Sequence, residues 1–145
     1  MTAEKLTLKA VSEKMRGIDV AILSTHGLGE QIASRPMSNN GEVEYDGTSY
    51  FFSYDGAQCV SDIGRNSNVA LGYSTEGGLF TGAVYIAVEG SADLIRDRGA
   101  FAQHWTPDLD KWFEKGIDTP GLVLLKVRAA RIKVWERNEE QELLL

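Results

Sequence analysis

The residues able to carry chemistry are few and far apart. There is one cysteine, Cys59, and there are two histidines, His26 and His104. One thiol and two imidazoles cannot complete the four-ligand shell of a closed structural zinc site, and a lone thiol forms no internal disulfide. No Gly-x-Ser-x-Gly turn accompanies the histidines, so a hydrolytic triad finds no support. The formal net charge of -6 argues against non-specific binding to nucleic acid or to a membrane surface, both of which favour a basic face. An acidic chain that binds a phosphate must concentrate positive charge locally, so single arginines and helix starts become informative. Arg35, flanked by Ser34, Pro36 and Met37, offers a planar fork of donors suited to such a group; a surface salt bridge is the plainer reading of a lone arginine. Ser53 follows Phe52 and leads into Tyr54-Asp55-Gly56-Ala57-Gln58, where a hydroxyl and the first amides of a helix could meet the same anion. As simple turn residues they would look no different. Cys59 reads as a small buried group, and His104 as a hydrogen-bonded structural histidine or a proton donor.

The elements that must position these groups are mostly strands. Residues 2–16 read as a helix, with Leu8, Val11 and Met15 at helical spacing and Gly17 at a left-handed C-terminal cap. Ile18–Thr25 and Gln31–Met37 form a hairpin across Gly27-Leu28-Gly29, and Pro36 marks an edge or a bulge. Val43–Tyr45 and Thr48–Tyr54 flank Asp46-Gly47, a strong two-residue hairpin signal. A short helix is expected over 57–65, then a strand over 68–74 and a turn at Gly77-Gly78. Val84–Ile95 reads as one strand with a bend or bulge at Gly90. Residues 97–116 are helical in character, broken near Pro107 and rich in aromatics. Leu122–Val127 and Ala130–Trp135 give a last strand pair, followed by an acidic, frayed tail.

A chain of 145 residues and 15.9 kDa fits one domain, residues 1–145, able to bury a core without staples. Six to seven strands joined by hairpins, with a few peripheral helices, point to a mainly β fold: a small antiparallel, Greek-key-like barrel. No segment has the unbroken apolar length of a membrane-spanning helix. The first residues run into a polar amphipathic stretch rather than a secretory signal, so a cytoplasmic location is expected.

Three segments, in this order, resemble the general stress protein 26-like branch of the pyridoxamine 5′-phosphate oxidase-like, flavin-binding split-barrel family. They are Ala33-Ser34-Arg35-Pro36-Met37, Tyr50-Phe51-Phe52-Ser53 with its following helix, and His104 to Phe113. The spacing of Val84–Ile95 and Leu122–Trp135 is also similar. The resemblance implies a split-barrel homodimer with two sites for flavin mononucleotide (FMN) at the interface, each lined by both subunits. It implies that Arg35, Ser53, Gln58 and the amides opening the short helix hold the phosphate. It places Met37, Phe52 and the backbone around Ser34 and Pro36 at the ring, with Trp105, Trp112 and Phe113 covering it or packing the cleft mouth. Cys59 stands where the family commonly has a lysine on the phosphate. Nothing after Lys126 supplies the Arg-x-His signature of the authentic oxidase, so vitamin B6 phosphate oxidation is not implied. What is implied is a flavin protein with oxidoreductase potential towards an unknown small molecule. The alternative is a non-catalytic, stress-related binding or sensor protein that holds its cofactor weakly, or holds a tetrapyrrole or deazaflavin.

Overall fold

Gly17 ends the first helix as its position predicts, with φ +83°. The computed structural model describes residues 5–39, 43–79 and 82–145, and in it the helix α1 spans Leu8–Met15, shorter than the 2–16 expected. Thr7 sets its start, because the threonine Oγ1 accepts from the Ala10 amide at 3.1 Å and caps the first turn. Residues 1–4 lie outside the described part. Lys14 pairs with Glu136 and ties α1 to the far end of the sheet.

Seven strands follow, β1 (Val20–His26), β2 (Ile32–Ser38), β3 (Thr48–Tyr54), β4 (Asn68–Thr75), β5 (Val84–Ile95), β6 (Leu122–Glu136) and β7 (Glu139–Leu144). They form one sheet in the order β2-β1-β4-β5-β6-β3, with β7 also on β6, and every neighbouring pair is antiparallel. The helices α2 (Gln58–Arg65) and α3 (Arg98–His104) complete the fold. The expected hairpin of β1 and β2 is present, turned by a 3₁₀ turn at Leu28–Glu30, and β2 lies at the sheet edge.

Two expectations are corrected. Residues 43–45 form no strand with β3, which pairs with β6 instead. Tyr45 is drawn into the core, and its amide bonds to the Ser12 Oγ of α1 at 2.9 Å. Asp46-Gly47 is still a turn, in which Asp46 Oδ1 accepts from the Thr48 amide, but it delivers the chain across α1 rather than back along a partner strand. The last strand pair is also different. Leu122–Val127 and Ala130–Trp135 are two halves of the single strand β6, and the acidic tail pairs with its second half as β7. A two-residue turn, Arg137-Asn138, joins them with φ +53° and +65°, the left-handed pair that matches strand twist. The tail's charge is answered: Glu142 meets Arg131 at 3.2 Å and Glu140 meets Lys133 at 2.9 Å. Leu143 packs against the core.

β6 serves three neighbours, β5 along one edge and β3 then β7 along the other, and it carries a bulge opposite Gly90 where the second edge changes partner. Register with β5 shifts between Glu89 and Gly90, which face Arg131 and Ala129, leaving Ala130 as the extra residue of a bulge. Before the bulge β6 pairs with β3; after it, with β7. The inner face of the curled sheet holds the main core, including Leu23, Phe51, Leu71, Val88, Val127 and Ile132. Tyr73, inside it, sits 3.2 Å from the Ser49 hydroxyl, and burial pushes its phenol up to about 12. A second cluster, around Phe101, Leu122 and Leu124, lies on the other side of β3 and β6 and seats the aromatic segment after α3.

The bulge yields a prediction. A Cβ at Gly90 would lie 2.0 Å from the Arg128 carbonyl oxygen, a backbone atom that cannot step aside. Gly90→Ala is expected to cost about 1–3 kcal/mol, the range of an overpacked interior site, read as a lowered urea midpoint. An unchanged midpoint would mean the close approach does not exist.

Candidate functional site

A cleft of about 1180 Å³ opens beside the edge strand. One wall is β2, an edge strand that lines the cleft from Ala33 to Ser38, with Ala33, Arg35 and Met37 half-buried and Ser34 and Pro36 exposed. The floor is the end of β3, Phe52 to Tyr54, continuing into the turn at Gly56-Ala57 and the start of α2. The third wall comes from the segment after α3, with Leu109, Lys111, Trp112 and Phe113, then Thr119 and Pro120. Aspartate caps α3, since Asp97 accepts from the Ala100 amide, and Pro107 opens a 3₁₀ turn, Pro107–Lys111, in place of a continuous helix.

The cleft brings together Ser34, Arg35, Pro36, Met37, Phe52, Ser53, Gln58, Cys59 and Trp112. Trp105 stands behind this wall. Its ring packs edge-on between Phe52 and Phe113, at 4.9 and 5.8 Å, and its Nε1 donates to Asp110 at 2.9 Å. It supports Phe113 and Phe52 rather than lining the cleft. Trp112, by contrast, is 67% exposed at the cleft's mouth. Ser53 and Cys59 are buried at the floor, with Oγ and Sγ 3.7 Å apart. The α2 start has no side-chain cap, and its first two amides, Gln58 and Cys59, meet no acceptor among the described residues.

Arg35 is held from behind. Its Nη1 donates to Thr25 Oγ1 at 2.8 Å and to the Leu23 carbonyl at 3.2 Å, while Nη2 lies 3.7 Å from Asp62 Oδ2. Asp62 is buried on α2, where it accepts from Thr25 Oγ1 at 2.8 Å and from Arg65 at 2.7 Å. Among the described residues the guanidinium makes no hydrogen bond through Nε or Nη2, the latter being held only by the longer attraction to Asp62, on a side chain already fixed in place. Such preorganisation is what anion recognition by arginine exploits.

Sequence reasoning missed Lys111, Thr119 and Pro120 as cleft residues, and missed the Thr25–Asp62–Arg65 support of Arg35. For the support a signal existed: Asp62 sits between Cys59, Val60 and Ile63 on the apolar face of α2, where a carboxylate requires buried partners. No local pattern marks the third wall, which is brought in by tertiary packing.

His104 lies outside this cleft. It stacks on Tyr50 with ring centroids 3.6 Å apart, beside a smaller pocket of about 460 Å³ that also contains Asn39, Thr106 and Asp108. Burial lowers its pKa, and the neighbouring Lys126 charge lowers it further. As pH falls below the usual histidine value of about 6.5, the unfolded chain takes up this proton before the folded one, so stability drops until the folded midpoint is reached. Histidine NMR is expected to give His104 a midpoint below 6.5, and His104→Gln to remove that part of the acid-side stability loss. A midpoint above that value would contradict the packing described.

An antiparallel sheet curled in this order, with a cleft beside its edge strand, is a split barrel. The profile described as pyridoxamine 5′-phosphate oxidase like matches residues 7–144, and the chain belongs to that family. No curated protein matches it. Solved structures share the fold at low identity. A Clostridium acetobutylicum protein related to general stress protein 26 superposes with a TM-score of 0.80 at 15% identity, covering 95% of this chain and 94% of that one. The general stress FMN/FAD binding protein of Xanthomonas citri gives 0.73 at 22% identity, with 95% and 92% covered. General stress protein 26 of Bacillus anthracis gives 0.70 at 23% identity, with 92% and 98% covered. Among the described residues no helix is long and apolar enough to cross a membrane.

Proposed function

We propose that the cleft binds FMN and that the protein is a flavin-dependent oxidoreductase of an unassigned small molecule, acting as a homodimer. The observation that carries this reading is the prefixed Arg35, with open donors, on the same cleft as the uncapped start of α2. A dianionic phosphate suits those two features together. A flat, largely apolar ring suits Met37, Pro36, Phe52, Phe113 and the exposed Trp112. The bound flavin would supply the electron-transfer chemistry, leaving the protein to orient it and exclude water. The Xanthomonas citri protein is named for FMN/FAD binding, which agrees.

Cys59 favours a second reading. Its thiol is buried 3.7 Å from the Ser53 hydroxyl, and where the resemblance implies a lysine on the phosphate this position brings no positive charge. A weakly binding sensor, or one for another planar cofactor, would follow if FMN is not held.

FMN added to the purified protein is expected to lose fluorescence on binding at micromolar concentration, and Arg35→Ala to weaken binding at least tenfold, as removal of a charge-assisted contact does. No quenching by the unmodified protein would overturn FMN binding, and full binding by Arg35→Ala would move the phosphate elsewhere.

The proposed dimer rests on the outer face of the sheet. Pro36, Ile22, Gly72 and Ala87 stand in one row across β2, β1, β4 and β5. Val20, Ile22 and Ile32 are exposed on this same face. Small and apolar side chains in a row leave a surface flat enough for a second copy. Sedimentation is expected to give twice 15.9 kDa, and Ile22→Arg to give the monomer; a monomeric native protein would refute the pairing.

A further inference from the structure

Asp62 divides its two oxygens between two guanidinium groups. Oδ1 accepts from Arg65 Nη2 at 2.7 Å, whereas Oδ2 accepts from Thr25 and stands 3.7 Å from Arg35 Nη2, near enough to attract but not to bond. The carboxylate is 1% exposed, so it depends on these partners for compensation of its charge. One negative charge thus faces two positive ones, and the closer belongs to Arg65. Arg65 does not line the cleft.

We infer that Arg65 is a positioning residue which sets the cleft's affinity for anions by occupying Asp62, so that the positive charge of Arg35 is not offset by that carboxylate and its remaining donors stay open for the ligand. This rests on the reading above that Arg35 meets the phosphate of the cofactor. Without Arg65, Asp62 would have a single cationic partner. Arg35 Nη2 would then close the 3.7 Å gap and bond to Oδ2, withdrawing a donor from the cleft and neutralising the charge that remains. Thr25 is the hinge of this arrangement, because its hydroxyl accepts from Arg35 while donating to Asp62.

The test measures FMN and riboflavin affinities in parallel on the full chain, since the two ligands share the ring and differ in the phosphate. Arg65→Gln is expected to weaken FMN on the order of tenfold, the effect of weakening one charge-assisted contact, and to leave riboflavin unchanged. Arg65→Lys is expected to restore most of the preference. A general loss of packing at α2 would instead weaken both ligands together. An unchanged ratio of FMN to riboflavin affinity in folded Arg65→Gln protein overturns the inference while leaving Arg35 as the phosphate ligand. A native protein with no preference for FMN overturns both. If Arg65→Gln does not fold, Thr25→Val, which keeps the shape and removes the shared hydroxyl, is expected to show the same selective loss; an unchanged ratio there refutes the relay.

Discussion

The whole sheet depends on the contact between Gly90 and the Arg128 carbonyl. Two backbones come together there more closely than any side chain allows, and the extra residue Ala130 swings β6 into a new direction. The strand pairs with β3 before that point and with β7 after it, while β5 runs along its other edge. The sheet curls as a result, and a concave inner face can be filled by α1 and the core residues.

The cleft inherits its rigidity from this arrangement. β3 delivers Phe52 and Ser53 from the sheet, α2 begins at the next turn, and β2 supplies the facing wall. The charge at its centre is arranged at longer range: Arg35 from β2, Thr25 from β1, and Asp62 and Arg65 from α2 meet across three elements. Buried ionic groups of this kind fix geometry more than they add stability. Here the geometry they fix is that of a cation facing an open cleft.

Much of this was legible in the sequence. Gly17, the β1–β2 hairpin, the short helix and the bulge at Gly90 are announced by residue types with local physical consequences. The failures share a cause as well. Asp46-Gly47 does make a turn, but the direction of its flank was decided by burial of Tyr45 against α1, which no local pattern encodes. The acidic tail looked unable to pack, yet its charges answer Arg131 and Lys133, ten or so residues earlier on a neighbouring strand. Trp105 and Trp112 looked equivalent by type and spacing. Their different settings, one wedged between Phe52 and Phe113 and the other at the mouth, are fixed by tertiary contacts.

The first half of β6 is buried on both sides, so Leu122 to Leu125 do not alternate between core and solvent. Val123 and Leu125 belong to the main core, Leu122 and Leu124 to the aromatic cluster behind the third wall. Neither cluster can melt without stripping apolar surface from a strand that the other also uses. The segment carrying Trp105 and Phe113 is therefore no detachable flap. Moving it away from the sheet would uncover the outer side of Leu122 and Leu124, so its position is tied to the same strand that closes the main core.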